Sequence, residues 1–379
     1  MNTYNRRAFI GHSARLMGGA VILGPLVAAC GSDDKKTAST SAATTATTAA
    51  GTATTTAATA AGTTAGSTAS SVASLGKVRT QFNWVADVEW AAWYLADNNG
   101  LFTQYGADVE LISGGPNTPA VAQVLASGAA DFGVASDELQ LIQANKEGTD
   151  YVILGAMYQR SPFGYCWLAD TPISTAKDLV GKKIGGVQGD QVRIDAVFKV
   201  NDLEPDYTFV PMNYDPQPLV DGDADIITAY VTNQPIQLEL KGVKTKSAPF
   251  SDFGLKSYGD VLFASKKYID ANRDLLVAYF AGLLAGVKAN QADPTAVIPL
   301  LTDKYGKDAE IDVAYSTAGN PAYIALYDSD FTKANGLLSV DPAYFDSDVL
   351  PGYAAAGETD LPTAATLVDT TILADAQKL

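Results

Sequence analysis

From residue 76 onward, short β-type runs alternate with amphipathic stretches at a repeat of about thirty residues, the rhythm of βαβ crossovers on a parallel sheet. Residues 78–84 alternate apolar and polar positions and end in the polar-aromatic loop 84–89; residues 90–98 then read as a short helix closed by Asn99-Gly100. Residues 107–112 form a second strand and 119–127 its helix. Residues 131–135 form a third strand, followed by a helix over 139–147. Two β-runs follow at 151–159 and 165–169. The pattern then restarts with a strand at 183–187 and a helix to Val200. Short strands are predicted at 208–211, 225–230 and 243–248, with a helix over 233–240 before the last. A lone β-run at 260–265 precedes a long helical tail from Arg273. The economical interpretation is a two-lobed α/β fold, the second lobe inserted in the first and the chain crossing back near Tyr258. The assignment is 76–180 and 259–379 to one lobe, and 181–258 to the other. Ligands on such sheets bind beyond the carboxyl ends of the strands, here in a cleft between lobes.

Ahead of this pattern the chain changes character. Arg6-Arg7 precedes an apolar run over 16–29 that ends in Val27-Ala28-Ala29-Cys30. The run is short for a membrane span, and small residues before Cys30 suit a signal peptidase. The pattern resembles a twin-arginine lipoprotein signal over 1–30, with Asn5 in place of the usual Ser or Thr and Val27 in place of Leu. It predicts lipidation at Cys30 and a protein held at the outer face of the cytoplasmic membrane. A plain secretory signal or a short anchor with a bystander cysteine is the alternative. Residues 31–75 are built mainly of Thr, Ala, Ser and Gly, so they have little to bury and are expected to form a disordered tether. Its reach as a flexible chain is on the order of 35 Å.

Composition narrows the chemistry. The chain carries 26 basic and 42 acidic side chains. Cleavage before Cys30 removes three arginines and no acid, so the exported chain is more acidic still. That excludes nucleic acid as a partner, because phosphate neutralisation needs a basic surface. The one histidine, His12, lies in the signal, and Cys166 is the one cysteine beyond Cys30. The exported chain therefore has no Ser-His-Asp triad, Cys-His pair or usual zinc set. No catalytic residue, metal or cofactor is expected. The apolar stretch 275–287 is amphipathic and interrupted by Gly282 and Gly286, unlike a second membrane span.

Several sequence blocks carry a resemblance. Residues 97–102 (DNNGLF), 105–111 (YGADVEL), 126–134 (ASGAADFGV) and 175–185 (TAKDLVGKKIG) fall in an order similar to that of solute-binding proteins of ABC importers. The branch resembled binds thiamine-pyrimidine precursors, riboflavin, alkanesulfonates and nitrate-type solutes. The likeness runs from Val78 to about Phe263. It implies the type II periplasmic-binding fold, a monomer that closes on a small molecule and docks on a permease with its ATPase. A fungal branch of the same family makes the thiamine pyrimidine with an active-site histidine and a cysteine-rich motif. This chain has neither. A ligand-sensing or adhesive surface protein is a third possibility.

Aromatic residues gather where strand-end loops are expected: Trp84, Trp90, Trp93 and Tyr94, then Tyr158, Phe163, Tyr165 and Trp167, then Tyr214 and Tyr230. Trp93, Tyr94 and Trp167 read as core. The resemblance singles out Trp84, since the branch commonly turns an aromatic there toward the cleft. Where the branch then carries Pro-Asn and His, this chain has Ala86-Asp87 and Trp90. Polar candidates are Asp87, Asn117, Thr118, Ser136, Asp137, Gln159, Gln188, Asp190, Gln191 and Asn233. Asp137 and Asp190 could equally be helix N-caps, and the amides ordinary loop residues. Glu89 and Glu138 add acid, with Arg160 and Arg193 the nearby bases. The acidic surplus favours a neutral or protonatable heterocycle with donor N–H groups over an anion. Riboflavin-like and aminopyrimidine ligands both fit.

Overall fold

The computed structural model describes residues 72–379. The expected export signal, Cys30 and the expected tether up to residue 71 lie outside the described residues. Among the described residues ten strands form, one in each region where the pattern predicts one. They are β1 (Gly76–Gln81), β2 (Ala107–Ile112), β3 (Phe132–Ala135), β4 (Tyr151–Tyr158) and β5 (Phe163–Leu168). Then come β6 (Lys182–Gly186), β7 (Tyr207–Pro211), β8 (Ile226–Tyr230), β9 (Thr245–Pro249) and β10 (Gly259–Ser265).

They build two mixed five-stranded sheets, ordered β2-β1-β3-β10-β4 and β7-β6-β8-β5-β9. In the first, β1 runs parallel to β2 and β3, while β10 runs antiparallel to β3 and β4. In the second, β6 runs parallel to β7 and β8, while β5 runs antiparallel to β8 and β9. Each sheet thus repeats one plan, three parallel strands and an antiparallel one in fourth place. The two antiparallel strands are those that carry the chain across. β5 follows β4 into the second sheet and β10 returns to the first. Parallel strands need crossover helices, which is why the helical stretches fall between β1, β2 and β3 and again between β6, β7 and β8.

This corrects the expected boundary at residue 181. β5 pairs with β8 and β9, so the chain leaves the first sheet after Tyr158 rather than after residue 180. The periodicity of β5 could not reveal this, because an apolar strand reads alike in either sheet. The C-terminal segment does not stay with the first sheet alone. Val313–Ile324 packs on Gln234–Leu240, and Leu350–Ala355 packs on Gln191–Lys199, both helices of the second sheet.

The first sheet's main core lies under Ala91–Asn98 and Arg273–Ala292, with Trp93, Phe132, Tyr279 and Phe280 buried. The Trp93 Nε1–H donates to Tyr279 Oη at 2.7 Å. Gly286 is required there, since an added Cβ would fall on the Ala92 carbonyl. By length and composition Arg273–Ala292 could cross a membrane, but two-thirds of its apolar window is buried in this core. The second sheet packs Tyr165, Trp167, Ile184, Phe198 and Phe253 on the side that carries Gln191–Lys199.

Candidate functional site

A cavity of about 480 Å³ opens between the carboxyl ends of the parallel strands of the two sheets, a volume in the range of small-molecule sites. The first sheet contributes Asn83, Trp84 and Glu89 after β1, Gly115, Pro116 and Thr118 to Val121 after β2, and Ser136 and Asp137 after β3. The second contributes Val187 to Asp190 after β6, Met212 to Tyr214 after β7, Tyr230, Asn233 and Gln234 after β8, and Arg193 from the helix that follows β6. This is where a βα turn exposes side chains that the strand beneath it holds rigidly.

Two contacts span the cavity from one sheet to the other. The Trp84 and Tyr214 rings meet edge-on, centroids 4.6 Å apart and planes at 68°. The Arg193 Nε–H donates to Asp137 Oδ2 at 3.0 Å, and its Nη2 donates to the same oxygen. The Arg193 guanidinium also lies 5.3 Å above the Phe163 ring. Asp137 is 6% exposed, and its other oxygen, Oδ1, is buried without a hydrogen-bond partner. Asp190 accepts from Thr228 Oγ1 at 2.6 Å and from the Val187 N–H at 2.9 Å. Burial nevertheless raises its pKa above the ordinary Asp value, against the pull of those hydrogen bonds. It makes no side-chain cap bond to the helix it precedes, so it is a strand-to-turn clamp rather than an N-cap.

At the other end of the cavity sits Glu89, 4% exposed, with Oε1 unpartnered. Behind it lies Asp260, fully buried, which accepts from Asn83 Nδ2 at 3.2 Å. The two carboxyl groups neighbour one another. Burial first, and then the charges of Asp260 and Asp87, hold the Glu89 pKa well above the ordinary range; burial also raises that of Asp260, to about 7, against the pull of Asn83 and Glu89. Asp260 adopts φ +46°, an uncommon conformation for a residue with a side chain.

Eight of the fourteen expected ligand residues line this cavity: Trp84, Thr118, Ser136, Asp137, Gln188, Asp190, Tyr230 and Asn233. The other six lie elsewhere, each for a local reason. Trp90 is fully buried, stacked on Phe82 at 4.3 Å, with its indole N–H on the Val85 carbonyl at 2.9 Å. Asp87 is taken up as the N-cap of Val88–Trp90, accepting from the Val88 N–H. Asn117 is exposed in the turn that Thr118 closes on Gly115. Tyr158 is buried in a stack with Tyr323 and Tyr327. Gln159 joins the C-terminal segment to β4, donating to the Ser339 carbonyl and accepting from Ser329 Oγ. Gln191 is exposed at the start of its helix. Phe163 and Tyr214, from the strand-end aromatics, and Glu89 and Arg193, from the charged residues near them, also line the cavity. Tyr323 enters from a helix whose approach no local pattern announces.

Comparison with known proteins places these features in context. A family model described as NMT1/THI5 like matches residues 87–297. The formylaminopyrimidine-binding protein of Halalkalibacterium halodurans is 23% identical over 237 residues, 60% of this chain and 70% of that protein. Among solved structures, the periplasmic sulfonate-binding protein SsuA of Methylobacillus flagellatus KT aligns with a TM-score of 0.56 at 19% identity, over 81% of this chain and 95% of its own. The periplasmic nitrate-binding protein NrtA of Synechocystis PCC 6803 aligns with a TM-score of 0.55 at 14% identity, over 80% and 88%.

Proposed function

The chain belongs to the NMT1/THI5-like family, and from that premise we propose that it is the substrate-binding component of an ABC importer, taking up a small aromatic heterocycle. Export and lipidation at Cys30 would hold it at the outer face of the cytoplasmic membrane, where a monomer delivers its solute to a permease and ATPase. The observation that carries the reading is the cavity itself: rings from both sheets, Trp84 and Tyr214 at the mouth and Phe163 and Tyr230 within, around a space of about 480 Å³. Each well-placed ring contact to a flat solute is worth about 1 kcal/mol beyond burial. A solute touching both sheets stabilises the state in which they approach, and only such contacts can shift that equilibrium.

Binding without turnover also fits the residues. The cavity holds carboxylates, amides, hydroxyls and one guanidinium, without histidine or cysteine. Arg193 is engaged by Asp137, which weighs against sulfonates and nitrate, anions that are held by free positive charge or by backbone N–H groups at helix starts. The test is a thermal-shift panel of aminopyrimidines, flavins, alkanesulfonates and nitrate on the purified full-length chain. A rise in melting temperature with pyrimidines or flavins is expected. A rise with sulfonates or nitrate alone would overturn the ligand class.

A further inference from the structure

Three carboxylates line the cavity against one guanidinium: Glu89, Asp137 and Asp190 against Arg193. Arg193 is matched by Asp137. Asp190 has two donors, yet one oxygen on each of the other two acids, Glu89 Oε1 and Asp137 Oδ1, is buried without a hydrogen-bond partner, on side chains 4% and 6% exposed, and so is Oδ2 of Asp260 behind Glu89. A buried acceptor without a donor costs free energy, which a bound N–H at Asp137 or Glu89 would offset, as would a proton held between Glu89 and Asp260. Glu89 differs from Asp137 in having a second acid, Asp260, at its back rather than a cation.

The groups that face this pair contain no base. Asp87 lies on the same loop as Glu89, and Tyr94 on the helix Ala91–Asn98 that follows. Tyr158 comes from the end of β4, Tyr230 from β8, and Tyr315, Tyr323 and Tyr327 from the C-terminal segment. Asn83 donates to Asp260. Two adjacent buried carboxyls without a cation cannot both ionise, so the empty cavity keeps one proton on the pair. A cation brought against Glu89 Oε1 removes that requirement. The proton then leaves to solvent, the pair becomes doubly negative, and the incoming charge of +1 restores the local balance.

Resting on the solute-binding reading above, we propose that the cavity selects a flat monocation of the amidine or protonated aminoheterocycle class, whose N–H donors end on Glu89 and whose charge replaces the proton shared by Glu89 and Asp260. Neutral solutes of the same shape bind with the proton in place and therefore more weakly. Anions of that shape are rejected.

Benzamidine, benzamide and benzoate test this as isosteric cation, neutral molecule and anion. On the full-length chain, isothermal titration should rank benzamidine about tenfold or more ahead of benzamide, in keeping with the strength of charge-assisted hydrogen bonds, and benzoate last. Titration of benzamidine in two buffers of different ionisation enthalpy should show close to one proton released per molecule bound. Its affinity should rise with pH, because benzamidine keeps its charge while the pair loses its proton. Glu89→Gln, nearly isosteric, should abolish the proton release and bring benzamidine and benzamide to within about threefold of each other. Wild-type protein that binds benzamide or benzoate as well as benzamidine, that releases no proton, or that binds none of the three overturns the inference. A panel in which neutral flavins or pyrimidines still raise the melting temperature would then leave the importer reading standing, and a panel without any response would remove both.

Discussion

Arg193 is the one cation among the residues lining the cavity, and its partner comes from the opposite sheet. Both side chains are largely withdrawn from water, so removing one leaves the other charge buried and unmatched. Arg193→Met should destabilise the protein by about 3 kcal/mol in urea unfolding, and adding Asp137→Asn should recover part of the loss. An additive double variant would contradict this. Residues of this kind are half-legible in sequence. Asp137 falls at an expected strand-end turn and Arg193 in the helix expected after another, but their pairing joins positions 56 apart on different sheets. No local pattern encodes that. Trp84 and Trp90 make the same point within one loop. Six residues apart and chemically alike, one lines the cavity and the other stacks on Phe82, a choice made by packing.

At the scale of elements, the turn after β3 is tied to the C-terminal helix Leu350–Ala355 through Glu138. Its carboxylate accepts from Tyr353 Oη at 2.7 Å and from the Tyr258 N–H at 2.9 Å, all within the protein interior. Burial outweighs those donors and lifts its pKa to about 7 from a model-peptide value of 4.5. An acid whose pKa is raised by folding stabilises below its unfolded value and loses that contribution as pH climbs through the folded one. Glu138 should therefore make the ligand-free protein more stable near pH 5 than near pH 8 by on the order of 2 kcal/mol, on top of the same-sign contributions of Glu89, Asp260 and Asp190, read from urea midpoints at both. Glu138→Gln should make that slope shallower, and an unchanged slope would show that Glu138 does not supply it. The strands themselves were legible because alternation and βαβ spacing are local properties. Which sheet β5 joins, and that the C-terminal helices reach the second sheet, were not, since both depend on long-range pairing.

For the whole molecule, one strand plan used twice places six parallel strand ends around one cavity, with ring and ion-pair contacts reaching across it. The inserted arrangement was readable from the restart of the pattern after β5, and the position of the cavity from the rule that ligands sit at strand carboxyl ends. Its solute was not, because which acids are buried together and which one is matched by Arg193 depends on contacts between the sheets that no local pattern encodes. The central claim is that one solute is held by both sheets and released unchanged. Its most direct test is equilibrium titration of the strongest compound from the thermal-shift panel against the wild type, Trp84→Ala and Tyr230→Ala, with the compound recovered afterwards for mass spectrometry. Each substitution, one per sheet, should weaken binding by about tenfold, and the recovered mass should be that of the compound added. Undiminished affinity in either variant, or a recovered compound of altered mass, would contradict the account.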